Sequence, residues 1–173
     1  QGYKNIAVQN YLYMIKYELA QMAPEDAARY QQVEAIVKVL CTYLGIYDTD
    51  FCGDIPYTEA SQARYGGTLT PKYDAVKDLY DLFLADLDEC IKIFTTATGQ
   101  YALSTQDVVY AGDMKKWAKL ANSLKLKIAA RLIHQDFAKA KNIVAAVKSA
   151  PCGVMDGAAD DFLFNKCATD TAN

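Results

Sequence analysis

The chain has 173 residues, 52% of them hydrophobic, with a formal net charge of −3 and a pI near 5.1. That length fits one domain by the usual prior of about 100 to 200 residues, and the apolar fraction is ample for a core. The slightly acidic balance argues against a basic surface for nucleic acid or anionic lipid, and no apolar run of about 18 residues is present to cross a membrane as a helix.

The opening residues Gln1-Gly2-Tyr3-Lys4 carry no charged-then-apolar leader and pass almost directly into a periodic pattern, as expected of a processed or partial chain. Ile6, Leu12, Ile15, Leu19 and Met22 then recur at helical intervals and predict a first helix that packs along this stripe. Pro24 followed by Glu25 and Asp26 opens a second, because proline suits a first helical position and acids favour the positive end of the dipole. Its stripe is Tyr30, Val33, Val37, Leu40 and Leu44, with Gly45 as the expected stop.

Thr70 as cap and Pro71 in the first turn predict a third helix, with an apolar face from Tyr73 and Val76 through Tyr80, Phe83 and Leu87 to Phe94. A fourth follows Asp113 and carries Trp117, Leu120, Leu124, Ile128 and Leu132 on one face. A fifth opens after Asp136, runs through Phe137, Ala140, Val144 and Val147, and is finished by Pro151. Strand-like alternation is almost absent, so the expected fold is all-α.

Short joints near Pro24 and at His134 to Asp136 predict antiparallel hairpins. Trp117, Leu120, Ala121 and Leu124 followed by Phe137 and Ala140 fit the tetratricopeptide pattern, although Ile133 holds its small-residue position and the turn comes late. Two connections, Ile46 to Leu69 and Thr95 to Gly112, exceed the usual limit of roughly 12 to 15 residues, and binding residues concentrate in such loops.

The chemistry in those loops is selective. Asp48, Asp50, Gly53 and Glu59 occupy positions 1, 3, 6 and 12 of a calcium-loop spacing, but Cys52 and Pro56 fill positions 5 and 9 and no long exit helix follows, which argues against a metal. His134 is the single histidine and is expected at a helix terminus, so no His pair exists for catalysis or zinc. Cys41, Cys52, Cys90, Cys152 and Cys167 form no metal-binding spacing; Cys41 and Cys90 fall on apolar stripes and are expected to be buried thiols. Asp54, Glu59, Asp86, Asp88 and Glu89 offer carboxylates for glycoside hydrolysis, yet the last three read as a solvated helix face. No phosphate loop or nucleophile motif appears, so neither an enzyme nor a cofactor is expected. Tyrosine is abundant at 13 residues. Tyr30, Tyr73 and Tyr80 are expected in the core and Trp117 as a core anchor, whereas Tyr47, Tyr57 and Tyr65 in the first long connection are the candidate ligand-binding rings.

The segment from Trp117 to Leu132, WAKLANSLKLKIAARL, resembles the signature helix of the SusD/RagB family. Three further blocks agree in order: Gly53-Asp54-Ile55-Pro56-Tyr57-Thr58-Glu59-Ala60, Pro71-Lys72-Tyr73-Asp74 leading to Leu87-Asp88, and Asp107 to Asp113 just before the tryptophan. Lys127 stands where the family commonly has arginine, and residues 136–173 match only generally. The resemblance implies tetratricopeptide-like hairpins with long irregular loops, residues 1–173 forming one helical region of a larger SusD-like domain. It further implies a lipoprotein on the extracellular face of the outer membrane that captures oligosaccharide or, in RagB-type members, peptide. Such a protein closes over a SusC-like TonB-dependent transporter and cleaves nothing. Family members are ordinarily longer and begin with a signal peptide and lipidated cysteine, neither visible in this chain. A general helical-repeat scaffold for a protein partner is the alternative from another class.

Overall fold

Five long helices, each antiparallel to its neighbour, carry the computed structural model, which describes residues 5–163. Helix α1 spans Asn5–Ala20; a single turn, α2 (Pro24–Ala27), and a 3-10 turn lead into α3 (Gln31–Cys52). Helices α4 (Val76–Thr96), α5 (Met114–Leu132) and α6 (Phe137–Lys148) follow. In space the order is α1, α3, α4, α5, α6, each packed mainly on the next, which gives a row of tetratricopeptide-like hairpins. Among the described residues there is no strand beyond one isolated antiparallel bridge, Ile55 with Asp74, and no helix is long and apolar enough to cross a membrane.

The core runs along the facing stripes of α3, α4 and α5 through Val39, Ile46, Phe83, Leu87, Trp117 and Ile128. Two predicted caps are present. The Asp113 carboxylate accepts the amides of Lys115 and Lys116 at 3.0 and 3.3 Å, and Asp136 accepts that of Lys139 at 2.9 Å, satisfying N-terminal amides of α5 and α6.

Three expected boundaries move: the second long helix, expected from Pro24, starts at Gln31, after α2 and a 3-10 turn that holds half-buried Tyr30. Gly45 does not end its helix; α3 continues through it to Cys52, and Gly53, at φ 72°, supplies the left-handed turn that stops it. Gly45 is there for packing: a β-carbon on it would stand 2.7 Å from Cζ of Phe83 and 3.0 Å from Cε2 of Tyr57. Likewise α4 starts at Val76 and not at Pro71. Its first amide is capped from 22 residues upstream, by Asp54 Oδ1 at 3.0 Å, while Thr70 bonds locally to Thr68. Tyr73 therefore lies outside the helix and is 64% exposed, not in the core, whereas Tyr80 and Trp117 are buried as expected.

After α6 the chain folds back along α5. Asn122 donates to the carbonyls of Pro151 and Gly153 at 3.0 and 2.8 Å, and Lys119 bridges Asp160 and Asp156 at 2.7 and 3.2 Å.

Candidate functional site

The connection between α3 and α4, residues 53–75, is long yet rigidly braced. Asp74 accepts the amides of Tyr57 and Thr58 at 3.0 and 2.7 Å and the Thr58 hydroxyl at 2.8 Å. Burial works to raise the Asp74 carboxyl, but these three donors outweigh it and hold its pKa below the usual 3.8. Glu59 accepts the Lys72 amide at 3.1 Å, closing the base of the loop. The same loop is strapped along α1: Ser61 donates to the Ile6 carbonyl at 3.3 Å, and Gln62 donates to the Tyr13 hydroxyl at 2.8 Å and the Thr58 carbonyl at 2.6 Å.

Three different environments receive the three candidate tyrosines. Tyr65 is half-buried and its ring lies 5.3 Å from that of Tyr17, tilted by 34°. Tyr17 is 51% exposed, so the pair forms a two-ring aromatic surface open to solvent. Tyr57 is core: it is 7% exposed, it meets Phe83 edge-on at 4.9 Å, and burial pushes its hydroxyl well above its ordinary pKa. Its ring is thus closed to a ligand, and its place on a connecting loop gave no sign of that. Tyr47 lies on the last turns of α3 and not in a loop, with its ring 4.8 Å from exposed Phe51 one turn on. Since Asp48 of α3 accepts the amide of Asn5 at 3.0 Å, Tyr47 sits at the opposite end of α1 from Tyr17. The rise of a helix over those twelve residues separates the two aromatic pairs by about 18 Å.

Tyr17 was not singled out from the sequence. The available signal was that Tyr11, Met14 and Tyr17 all fall off the apolar stripe of α1, and the structure leaves each more than two-fifths exposed.

The acids of the calcium-like spacing are engaged elsewhere: Asp48 with Asn5, Asp50 in an ion pair with Arg131, Asp54 at the start of α4 and Glu59 with Lys72. Among the described residues no three acidic, histidine or cysteine side chains converge as a metal site. Asp88 pairs with Lys125 and Glu89 with Lys38, but Asp86 departs from the solvated reading: it is half-buried beside Lys38, and desolvation raises its pKa. His134 is exposed in the turn between α5 and α6, just past the end of α5. Cys41 and Cys90 are buried free thiols and Cys52 is exposed; Cys167 lies outside the described residues.

Other concavities are less suited to flat ligands. A groove of about 690 Å³ between α3 and α4, lined by Gln31, Glu34, Lys92 and Gln100, has no aromatic ring. Another of about 600 Å³ across α5 and α6 is almost wholly apolar.

A row of antiparallel helical hairpins that braces an aromatic-bearing loop against its first helix defines a tetratricopeptide-like class of protein. A family model described as starch-binding and associating with the outer membrane matches residues 2–173. The chain belongs to this SusD-like family. Among solved structures, a SusD homologue from Bacteroides uniformis is 27% identical with a TM-score of 0.79, over 94% of this chain and 31% of its own. A SusD-like protein of Bacteroidetes AC2a is 31% identical with a TM-score of 0.68, over 87% and 26%. A chitin-binding protein is 28% identical with a TM-score of 0.68, over 91% and 33%. This chain thus spans about a third or less of the solved relatives it resembles. No curated protein matches it.

Proposed function

We propose that this chain is one helical region of a larger surface protein that captures glycans without cleaving them. The larger protein delivers them to a SusC-like TonB-dependent transporter and is held on the extracellular face of the outer membrane by a lipid anchor. The observation that carries the reading to particular residues is the Tyr17–Tyr65 pair, exposed yet fixed by a loop hydrogen-bonded at both ends. Fixed aromatic faces suit sugar rings, because the apolar face of the sugar stacks while little conformational entropy is lost. Family membership and a chitin-binding relative support a glycan over other flat ligands. Tyr47, with Phe51, offers a second aromatic surface at the far end of α1. Tyr57 acts from beneath, packing the loop onto Phe83.

Calorimetric titration with starch- and chitin-derived oligosaccharides and a peptide panel, with product analysis of the same mixtures, tests this reading. Saturable glycan binding without new products, weakened by Tyr17→Ala and by Tyr65→Ala, is the expected result. Binding of peptides alone, or release of shorter sugars, would overturn it. Co-purification of a barrel transporter with the full-length protein tests delivery separately.

A further inference from the structure

A small cavity of about 240 Å³ lies between α1, α3 and α4, one helical turn from Tyr17 on the side where the loop runs. Its floor holds a buried amide. Gln9 is 2% exposed; its Nε2 donates to the Tyr57 carbonyl at 3.2 Å, and its Oε1 is buried with no partner. That oxygen is covered on all sides, so the acceptor left for an occupant is Asp86. Asp86 stands on the α4 wall, 3.7 Å from the Lys38 ammonium, and favours an occupant that brings an O–H or N–H.

Donors share the cavity with this acceptor. Lys16 and Lys38 both line the cavity, and each ammonium has three hydrogens, more than the contacts of Lys16 to Glu34 at 3.8 Å and of Lys38 to Glu89 and Asp86 at 2.7 and 3.7 Å use. The Tyr13 hydroxyl accepts from Gln62, which leaves its own proton to give. Leu12 and Leu82 complete the wall with apolar surface. An occupant must therefore donate, accept and present an apolar face at once. A carboxylate has no donor for Asp86, a phosphate sets further negative charge beside it, and a hydrocarbon would strand the polar groups. A hydroxylated sugar ring meets all three demands. The volume falls below the roughly 300 Å³ at which pockets for drug-sized ligands begin, so one ring fits and a chain does not.

We propose that this cavity is a subsite for a single neutral sugar ring, with the adjoining ring of the same glycan stacked on Tyr17 and Tyr65. The two places are contiguous: Tyr13 in the cavity and Tyr17 on the platform are one turn apart on α1, and Gln62 links Tyr13 to the loop that carries Tyr65. Lys16, partly exposed, and Thr58, exposed, form the mouth. The inference rests on the glycan-binding reading above and deepens it.

The test is calorimetry of the full-length protein with maltotriose, diacetylchitobiose, cellotriose and xylotriose, comparing wild type with Asp86→Asn, Lys16→Met and Tyr65→Ala. Lys16 is partly exposed at the mouth, so its replacement probes the cavity without disturbing the core, and thermal melting of each variant checks the fold. The expected result is that Asp86→Asn and Lys16→Met each weaken the responding oligosaccharide by about tenfold, as loss of one charge-assisted hydrogen bond does. Unchanged affinity in both variants, with weakening in Tyr65→Ala, would overturn the cavity subsite and leave the platform standing. No binding of any of the four sugars by wild type would overturn the subsite and the glycan reading together.

Discussion

The Asp107 carboxylate accepts the indole N–H of Trp117 at 2.7 Å, joining the connection after α4 to the largest buried side chain of α5. The same carboxylate takes the amides of Val109, Tyr110 and Gly112 at 3.0, 3.1 and 3.0 Å. Tyr110 then meets Trp117 edge-on at 5.1 Å and donates its hydroxyl to the Asp160 carbonyl at 2.8 Å. One acid thus orders a turn, orients the tryptophan and, through Tyr110, secures the segment after α6. Asp107→Ala strands four N–H donors in a largely buried place and should cost about 2–4 kcal/mol. The loss should appear as a lower urea midpoint with little change in slope. Asp107→Asn keeps one acceptor oxygen and should fall between the two; a midpoint equal to wild type for the alanine variant would show that water satisfies the freed donors.

Gly45 sets two effects against each other. Alanine is the better helix former by about 1 kcal/mol, whereas its β-carbon would meet the ring of Phe83, which is wholly buried. Overpacking costs about 1–3 kcal/mol, so Gly45→Ala should be destabilising by about 1 kcal/mol and Gly45→Val by more. Pairing Gly45→Ala with Phe83→Leu should recover part of that loss, and a double-mutant cycle by urea unfolding measures it. A stabilised single Gly45→Ala variant would mean that the Phe83 and Tyr57 rings shift without cost.

What the sequence made legible was local. Asp113 and Asp136 cap the helices that start one residue later, and the stripes through Trp117 and Phe83 are buried, because each depends on neighbours within one or two turns. The misplaced boundaries depend on distant partners. Gly45 follows the helix-stop rule until Phe83 is brought against it, and the start of α4 is set by Asp54, whose relation to Val76 no local spacing reveals. The same cause divides the candidate site. Tyr65 is on the surface, but its partner Tyr17 comes from α1 and the closure of Tyr57 comes from α4. Gln9 did leave a trace, as a polar residue midway between Ile6 and Leu12 on the stripe, and it now lines the small cavity.

Acid should loosen the loop before the helices. In Asp74 and Asp107 burial raises the carboxyl, but hydrogen bonds, three from Tyr57 and Thr58 in one case and those from Trp117 and three amides in the other, bring both below 3.8. A pKa depressed on folding contributes stability that is present above 3.8 and is lost as pH falls through the lowered values. Asp86 runs the other way: burial raises it, so its contribution is present below 3.8 and is lost as pH rises through its folded value. Thermal melts from pH 7 down to about 2 should therefore fall steeply below the ordinary carboxylate range. Asp74→Asn should flatten that acid limb, whereas Asp86→Asn should leave it in place. An acid limb unchanged by Asp74→Asn would show that the loop brace does not govern acid stability.

The cysteines give a readout of the core that needs no ligand. Cys41 and Cys90 are buried in the α1, α3 and α4 packing, and desolvation pushes both thiols up to about 12, with the Asp86 charge adding to the rise at Cys41. Cys90 also donates to the Ala35 carbonyl at 3.5 Å. The thiolate is the reactive form, so at pH 8 both should resist iodoacetamide in the native protein, while exposed Cys52 labels first. Peptide mapping by mass spectrometry should show Cys41 and Cys90 modified only after urea unfolding. In Gly45→Val, which forces Phe83 and Tyr57 apart from α3, the labelling of these two should accelerate by roughly the same factor as the fall in folding equilibrium, since reaction then proceeds through the open state. Native-state labelling of Cys41 at a rate near that of Cys52 would mean that α1 separates from α3 without global unfolding, and that the cavity beside Gln9 opens with it.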